Sequence, residues 1–341
     1  MRAAVVEDHG GPEVVRVRDV PDPEPGRGEV RVAVRAVALN HLDLWVRRGL
    51  PGLKLTFPHI GGSDVAGTVD AIGPGVPGVE RGRRVLVNPA LWCGECEFCR
   101  KGEESLCVSF HIFGEHVPGG MAEYAVVPAR NVLAIPDSLS FEAAAAVPLV
   151  YQTAWRALRR ARLAEGETIL VLGASGGVAT AAIQIAKWRG AVVVAVTRGE
   201  EKVEKVRALG ADEVVDRSRG DFSKIVWEWT GKRGVDVVLE NVGEATWKGS
   251  LRVLAKGGRL VTYGATTGPR GEVDIRLLFW RQLELIGSTM ASKREFEEAM
   301  ALVFDGSLAP VIDVVWPLER ARDAHERLER GEQFGKIVLT P

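Results

Sequence analysis

The sequence has few cysteines, almost no net charge and no long apolar run. Its four cysteines all fall between residues 93 and 107, so a disulfide framework spanning the chain is excluded. A formal net charge of -1 argues against a nucleic-acid-binding surface or a basic membrane patch. No apolar run is long enough to span a bilayer, and residues 1–10 show no signal-peptide pattern. We therefore expect a cytoplasmic protein with neither nucleic acid nor a membrane as its partner.

The residues that are present fit an α/β protein of two domains. The chain has 341 residues, 46% hydrophobic and 26% charged, with 39 glycines, which is enough for two separate cores. Residues 1 to about 130 contain short apolar segments between prolines and glycines, which predicts a β-rich, barrel-like first domain. From Phe141 onwards helical and strand patterns alternate, which predicts a parallel sheet with a domain boundary near residue 150.

The second domain opens with a pattern that is typical of dinucleotide binding. An apolar strand at Thr168–Leu172 leads directly into Gly173-Ala174-Ser175-Gly176-Gly177-Val178-Ala179, then a helix over 180–187 and a strand over 191–196. Glycine at the turn lets the backbone approach a pyrophosphate, and the helix N-terminus attracts its negative charge. The predicted phosphate contacts are Gly173, Gly176, Gly177 and Val178. An ordinary strand-to-helix turn is the alternative.

The residues at the end of the second strand of this unit indicate whether NAD(H) or NADP(H) binds. An NAD-selective site places Asp or Glu there to bind the ribose hydroxyls, but the sequence has Thr197 and Arg198. A hydroxyl and a guanidinium suit a 2′-phosphate, and Lys202 and Arg217 add positive charge nearby. We predict NADP(H) in preference to NAD(H); the alternative for Arg198 is a solvated surface arginine.

The four cysteines form a metal-binding pattern, Cys93-x2-Cys96-x2-Cys99-x7-Cys107. Four thiolates in one short loop suit tetrahedral Zn²⁺, and such a set leaves no open position for water, which predicts a structural zinc. The alternatives are four free or redox-active thiols and an iron–sulfur cluster.

Five segments together resemble the medium-chain dehydrogenase/reductase superfamily, which contains zinc-type alcohol dehydrogenases and quinone oxidoreductases. They are Asn40-His41-Leu42-Asp43, Gly61-Gly62-Ser63-Asp64-Val65-Ala66-Gly67, the cysteine loop, Gly173–Ala179, and Gly335-Lys336-Ile337-Val338-Leu339. The resemblance implies a GroES-like catalytic domain at 1–150, completed by 290–341, and a Rossmann domain at 151–289, with the active site in the cleft. It also implies a homodimer or homotetramer. Family positions beside the cofactor correspond to Val242 and Gly264, and phosphate-contacting positions to Lys336 and His41.

The sequence departs from the resemblance at the catalytic metal. Where zinc alcohol dehydrogenases carry their cysteine, histidine and third ligand, this chain has Asn40, Ser63 and Leu149. We therefore expect no catalytic zinc, as in the quinone oxidoreductase branch, although that branch usually lacks the four cysteines. The alternative is an unusual metal site made by His41, His59 and Asp64.

The resulting hypothesis is an NAD(P)H-dependent oxidoreductase that transfers hydride to or from a carbonyl, quinone or enone. Asn40 could donate an amide hydrogen bond to the carbonyl oxygen, and His41, Asp43, Asp64 and Tyr151 are candidate proton relays. Packing or capping explains each of these residues equally well. The other hypotheses are an alcohol dehydrogenase with an atypical metal site and a nucleotide-binding structural protein without turnover.

Overall fold

A computed structural model describes residues 1–341, and the chain divides into two compact units. The first comprises residues 1–150 and 291–341, and the second comprises residues 151–290. None of the helices combines the length and the apolar character that crossing a membrane requires.

Eighteen strands form the sheets of the two units. They are β1 (Arg2–Val6), β2 (Val15–Asp19), β3 (Glu29–Ala38), β4 (His59–Ile60), β5 (Asp64–Ile72), β6 (Arg84–Val87), β7 (Ala90–Leu91), β8 (His111–Ile112), β9 (Tyr124–Pro128), β10 (Val132–Ala134), β11 (Thr168–Val171), β12 (Val192–Thr197), β13 (Glu213–Asp216), β14 (Val235–Glu240), β15 (Leu254–Thr262), β16 (Glu284–Gly287), β17 (Ile312–Pro317) and β18 (Lys336–Thr340).

Eleven α-helices accompany them, with short 3₁₀ turns between. They are α1 (His41–Arg48), α2 (Glu97–Arg100), α3 (Phe141–Ala145), α4 (Pro148–Arg160), α5 (Gly177–Trp188), α6 (Glu200–Ala208), α7 (Phe222–Trp229), α8 (Trp247–Arg252), α9 (Ile275–Arg281), α10 (Lys293–Phe304) and α11 (Ala321–Glu329).

The first unit is built on a seven-stranded sheet. Its main order is β10-β6-β5-β3-β18-β17, and β9 also pairs with β3. Alternating valines of β3 are buried while the residues between them are more exposed, which is the pattern of a strand with one face in a core. A smaller sheet, β2-β1-β4, and the ribbon β7-β8 complete the unit.

The strand register of this sheet brings distant parts of the chain together. β3 pairs with β5 so that Ala38 lies opposite Asp64, and β18 pairs with β3 so that Val338 also lies opposite Ala38. The Leu39 N–H then donates to the Ile337 carbonyl over 2.9 Å. Continuing the same register places Lys336, the first residue of β18, opposite Asn40.

The second unit is a six-stranded parallel sheet in the order β13-β12-β11-β14-β15-β16. Its central strand β11 is completely buried from Ile169 to Val171, as expected for a strand covered on both faces. The order reverses at β11, so the loops after β11 and β14 leave the same edge next to each other. Ligands of open α/β sheets bind at this switch point.

Candidate active site and metal centre

Asn40, Asp64 and Lys336 form a buried hydrogen-bonded set in the first unit. The three side chains are 6%, 0% and 3% exposed. The Lys336 ammonium donates to Asn40 Oδ1 over 2.5 Å and to Asp64 Oδ2 over 2.8 Å, and Asn40 Nδ2 donates to Asp64 Oδ2 over 2.9 Å. The Leu149 N–H donates to the other carboxylate oxygen, Oδ1, over 2.7 Å. Both oxygens of the buried carboxylate are therefore satisfied, and its charge is paired within the protein.

Asp43 holds the backbone around this set. Its carboxylate accepts the Asn40 N–H over 2.7 Å and the Gly62 N–H over 2.9 Å. Burial raises the pKa of Asp43 to about 6, although these two bonds and Lys336 act in the opposite direction. The carboxylate joins the start of α1 to the segment before β5, so Asp43 has a positioning function in this structure.

Glu115 is a buried carboxyl that the sequence analysis did not identify. Its loop packs closely on the segment before β5, because a Cβ at Gly114 would lie 2.7 Å from the Gly62 carbonyl carbon. Burial, and to a smaller extent the negative charge of Asp43, raises the pKa of Glu115 to about 7. Its sequence signal is modest: a single acidic residue between Gly114 and His116 in a loop that otherwise shows no helical or strand pattern.

The four cysteines converge in the loop around α2, and their sulfur atoms all lie within 4.8 Å of one another. Neighbouring Sγ atoms are separated by 3.5 Å for Cys96–Cys99, 3.5 Å for Cys93–Cys107 and 3.9 Å for Cys93–Cys99. Tetrahedral zinc with Zn–S bonds of about 2.3 Å requires sulfur separations of about 3.8 Å. The cluster therefore fits a structural zinc.

Backbone N–H groups also point at these sulfurs. The N–H groups of Cys96 and Ser109 donate to Cys93 and Cys107 Sγ, each over 3.4 Å. Hydrogen bonds from the Cys99 and Val108 backbone lower the pKa of Cys96 to about 6, whereas burial raises that of Cys99 to about 12. A bound cation would offset the cost of a partly buried thiolate at Cys99. Among His, Cys, Asp and Glu side chains, this is the one group of three or more that could hold a metal ion.

The glycine-rich turn of the second unit lies between β11 and α5. Gly173 has a φ of +60°, and a Cβ there would lie 3.2 Å from Asn241 Oδ1. Gly176 precedes the first turn of α5, and no side chain caps that helix. The helix begins at Gly177, three residues before the predicted start. Two buried polar atoms near this edge, Asn241 Oδ1 and Thr197 Oγ1, have no hydrogen-bond partner in the protein. The turn, the uncapped helix and the two unpaired atoms fit a pyridine dinucleotide.

Comparison with known proteins agrees with both units. The family of alcohol dehydrogenase GroES-like domains matches residues 26–137, and the zinc-binding dehydrogenase family matches residues 177–305. An acryloyl-coenzyme A reductase of Metallosphaera sedula is 38% identical, and the alignment covers 100% of both chains. The human quinone oxidoreductase is 32% identical over 99% of this chain and 97% of its own. A crystal structure of an NAD-dependent alcohol dehydrogenase superposes with a TM-score of 0.96 at 46% identity, covering 100% of both chains.

The chain belongs to the medium-chain dehydrogenase/reductase superfamily. This confirms the resemblance and the predicted fold class, a GroES-like domain joined to a Rossmann domain with a parallel sheet. The protein is an NAD(P)-dependent oxidoreductase.

The other candidate proton relays and metal ligands of this chain have separate surroundings. His41 is the first residue of α1 and packs edge-on against Trp45, with ring centroids 5.1 Å apart. His59 Nε2 lies 3.1 Å from the Gly114 carbonyl oxygen, and burial lowers the pKa of both histidines. The Tyr151 hydroxyl accepts from Gln184 Nε2 over 3.1 Å. The structure does not bring His41, His59 and Asp64 together as a metal-binding group.

The residues from which the sequence predicted the cofactor preference lie at the ends of two adjacent strands and in α6. Thr197 and Asp216 are register partners at the ends of β12 and β13, and the Gly199 N–H donates to Asp216 Oδ1 over 3.2 Å. Arg198 and Arg217, both exposed, follow these partners directly, and Lys202 is the third residue of α6.

The two further positions that the resemblance predicted beside the cofactor lie on loops that are hydrogen-bonded to each other. Val242 follows β14, and its carbonyl accepts the Thr267 N–H over 2.8 Å. Gly264 follows β15, where a Cβ would lie 3.4 Å from the Asn241 carbonyl oxygen. Both therefore lie at the carboxyl edge of the sheet, on the side of the glycine turn. Lys336, by contrast, directs its ammonium at Asn40 and Asp64, and its contact with a cofactor phosphate stays a prediction.

Proposed function

We propose that this protein is an NADPH-dependent reductase of activated double bonds, such as enones and quinones, and that it uses no catalytic metal. The observation that carries the proposal is the Asn40–Asp64–Lys336 set. Asn40 stands at the sequence position where the resemblance places a cysteine ligand of the catalytic zinc, and its amide is bonded to the Asp64 carboxylate and the Lys336 ammonium. The site provides a fixed N–H donor and a balanced charge, which suits stabilisation of a developing oxyanion.

The chemistry requires a hydride, a proton and a stabilised oxygen. Bound NADPH supplies the hydride to the β-carbon of an enone or to a quinone. Negative charge then develops on the carbonyl oxygen, and one amide hydrogen of Asn40 remains to donate to it after the bond to Asp64 Oδ2. A proton taken up from a protein group or from water completes the reduction, so that substrate, NADPH and H⁺ give the reduced product and NADP⁺.

The names of the relatives support this substrate class. One relative is named acryloyl-coenzyme A reductase and another quinone oxidoreductase, and both names describe a double bond conjugated to a carbonyl. Relatives named alcohol dehydrogenase favour a second candidate, oxidation of an alcohol or reduction of an aldehyde. Both candidate reactions transfer a hydride, so turnover with a panel of enones, quinones and aldehydes is needed to distinguish them.

The cofactor proposal is NADP(H) in preference to NAD(H). Arg198 and Arg217 follow register partners on adjacent strands, so both guanidinium groups can reach a phosphate bound at the end of β12. The Thr197 hydroxyl is buried without a partner. No carboxylate occupies position 197 or 198, where an NAD-selective site bonds the ribose.

The proposal also includes a structural metal ion and an oligomeric state. We propose one structural zinc per subunit at Cys93, Cys96, Cys99 and Cys107. We also propose a homo-oligomer in which a second copy of the chain covers the β16 edge. That strand ends the parallel sheet, and Ile275, Phe279 and Trp280 of the neighbouring α9 are 71%, 63% and 76% exposed. An open strand edge beside a large apolar patch is typical of a subunit interface.

A substrate panel tests the function. We expect NADPH oxidation with cyclohexenone, an acryloyl thioester and a benzoquinone, and slower turnover with simple aldehydes. Asn40→Ala should lower kcat for the enone by about 10²-fold, the typical effect of removing one oxyanion donor, with NADPH binding retained. Intact NADPH binding without turnover of any panel member would contradict the proposal and favour a binding protein.

A further inference from the structure

The backbone at the start of β18 fixes the position of Lys336. The preceding residue, Gly335, has a φ of +86°, and a Cβ there would lie 2.3 Å from the Val311 carbonyl oxygen. The Lys336 N–H donates to that same oxygen over 2.9 Å. Only glycine fits this turn without strain, and the turn starts β18 in the register that puts Lys336 opposite Asn40. The ammonium is therefore delivered into the interior at a fixed position.

The ammonium determines which way the Asn40 amide faces. An ammonium has donors and no acceptor, so only Asn40 Oδ1 can lie 2.5 Å from Lys336 Nζ. The amide nitrogen then faces Asp64, to which it gives one hydrogen. Its second hydrogen is the one polar group of this side chain left for a ligand. The Asp64 carboxylate, which only accepts, favours the same orientation, so the ammonium and the carboxylate hold the amide from opposite ends.

We propose that Lys336 is a positioning residue for the reduction. Its ammonium fixes the Asn40 amide with an N–H directed to the substrate oxygen. This inference rests on the proposed function, because it assigns the oxygen-binding role to Asn40. It differs from the cofactor-phosphate role that the resemblance gives Lys336.

A double-mutant cycle tests the inference. Asn40→Ala, Lys336→Met and the double variant are compared with wild type for kcat and KM with cyclohexenone and for the NADPH dissociation constant without substrate. We expect Lys336→Met to lower kcat by about 10²-fold and to change the NADPH dissociation constant by less than about twofold. In the Asn40→Ala background the same change should lower kcat by less than about threefold, because the group through which Lys336 acts is gone.

Two further variants control for folding and for charge. Lys336→Met leaves the Asp64 carboxylate unpaired and can destabilise the protein, so Lys336→Gln, which keeps a neutral donor for Asn40 Oδ1, is measured as well. It should retain more turnover than Lys336→Met if orientation of the amide matters. Lys256→Met, at an exposed lysine, controls for loss of a positive charge. Equal losses of kcat in the wild-type and Asn40→Ala backgrounds would overturn the inference.

Failure of the inference and failure of the proposed function give different results. An NADPH dissociation constant raised tenfold or more, with unchanged kcat at saturating cofactor, would assign Lys336 to the phosphate instead. A wild-type protein without turnover would contradict the proposed function alone. The cycle is then read by binding of the unreactive ketone cyclohexanone in the presence of NADP⁺. Non-additive losses of ketone affinity would support the role of Lys336, and additive losses would refute it.

Discussion

Asp64 and Glu115 are two buried carboxyl groups with different partners. Asp64, completely buried, is paired with Lys336 and has a hydrogen bond at each oxygen. Glu115 is also buried, but its nearest cationic candidate, His116, has its Nδ1 3.5 Å away, and this atom accepts the Ile112 N–H. A carboxylate without a good partner is costly to bury. Burial without such a partner raises the pKa of Glu115.

Replacing Glu115 should change how stability depends on pH. Because burial raises its pKa to about 7 in the folded protein from 4.5, its protonated form stabilises the fold fully below about pH 4.5. This contribution is lost as the pH rises through about 7. As the pH rises from 5 to 8.5, the free energy of unfolding of Glu115→Gln should therefore increase relative to that of wild type by about 2–3 kcal/mol, measured by urea unfolding. Exposed Glu80→Gln is the control, and parallel pH curves for wild type and Glu115→Gln would contradict the assignment.

Replacing Arg198 should change cofactor preference. A guanidinium bonded to a 2′-phosphate contributes about 1.5–3 kcal/mol. Arg198→Gln should then raise the dissociation constant of NADPH about 10- to 100-fold while that of NADH changes little. Arg207→Gln, at an exposed arginine of α6, should leave both constants unchanged. Tighter binding of NADH than NADPH by the wild-type protein would refute the predicted preference.

At the level of elements, the sequence predicted the strands, turns and helices that are specified by residues close together in the chain. The apolar run at 168–172, the glycine turn and the following helix appear as β11, the loop and α5, because a buried strand and its turn are specified by adjacent side chains. The apolar segment Arg84–Val87, within the part of the chain predicted to be β-rich, also forms a strand. By contrast, β17 was not predicted. Its burial pattern has no completely buried residue, and an edge strand of this kind lacks the continuous apolar signal of a central one.

The cysteine loop should act on stability and not on chemistry. Cys99→Ser removes one of four zinc ligands, so the zinc content should fall from one per subunit towards zero. The free energy of unfolding should fall by about 3 kcal/mol or more, with kcat of the folded protein within about twofold of wild type. Val108→Ala, at a residue 71% exposed in the same loop, should retain zinc and stability. Unchanged stability with a selective loss of hydride transfer would overturn a structural role.

At the scale of the whole molecule, the candidate site depends on contacts that sequence patterns do not contain. Asn40, Asp64 and Lys336 were each identified from motifs or from the resemblance, but only strand register makes them neighbours. The ion pair between Lys336 and Asp64 spans 272 positions of the chain. It exists because β18, formed near the C-terminus, pairs with β3. Glu115 was missed for a similar reason, since its burial results from packing of its loop against the segment before β5.

The exposed patch of the second unit leads to a prediction about assembly. Trp280→Glu together with Leu285→Glu places charge on α9 and on the β16 edge, which a second copy would have to bury. We expect sedimentation to show a shift from an oligomer towards the monomer. Trp229→Glu, at another exposed tryptophan, should leave the oligomer intact. A wild-type protein that sediments as a monomer at micromolar concentration would contradict the proposed interface.

The metal content of the active enzyme tests whether hydride transfer proceeds without a catalytic metal. Zinc per subunit and NADPH-dependent enone reduction are measured on the same preparation before and after dialysis against a mild chelator. We expect one zinc per subunit and unchanged turnover while that zinc remains bound. A second metal ion per subunit, whose removal abolishes turnover and whose return restores it, would show that the reaction uses a catalytic metal.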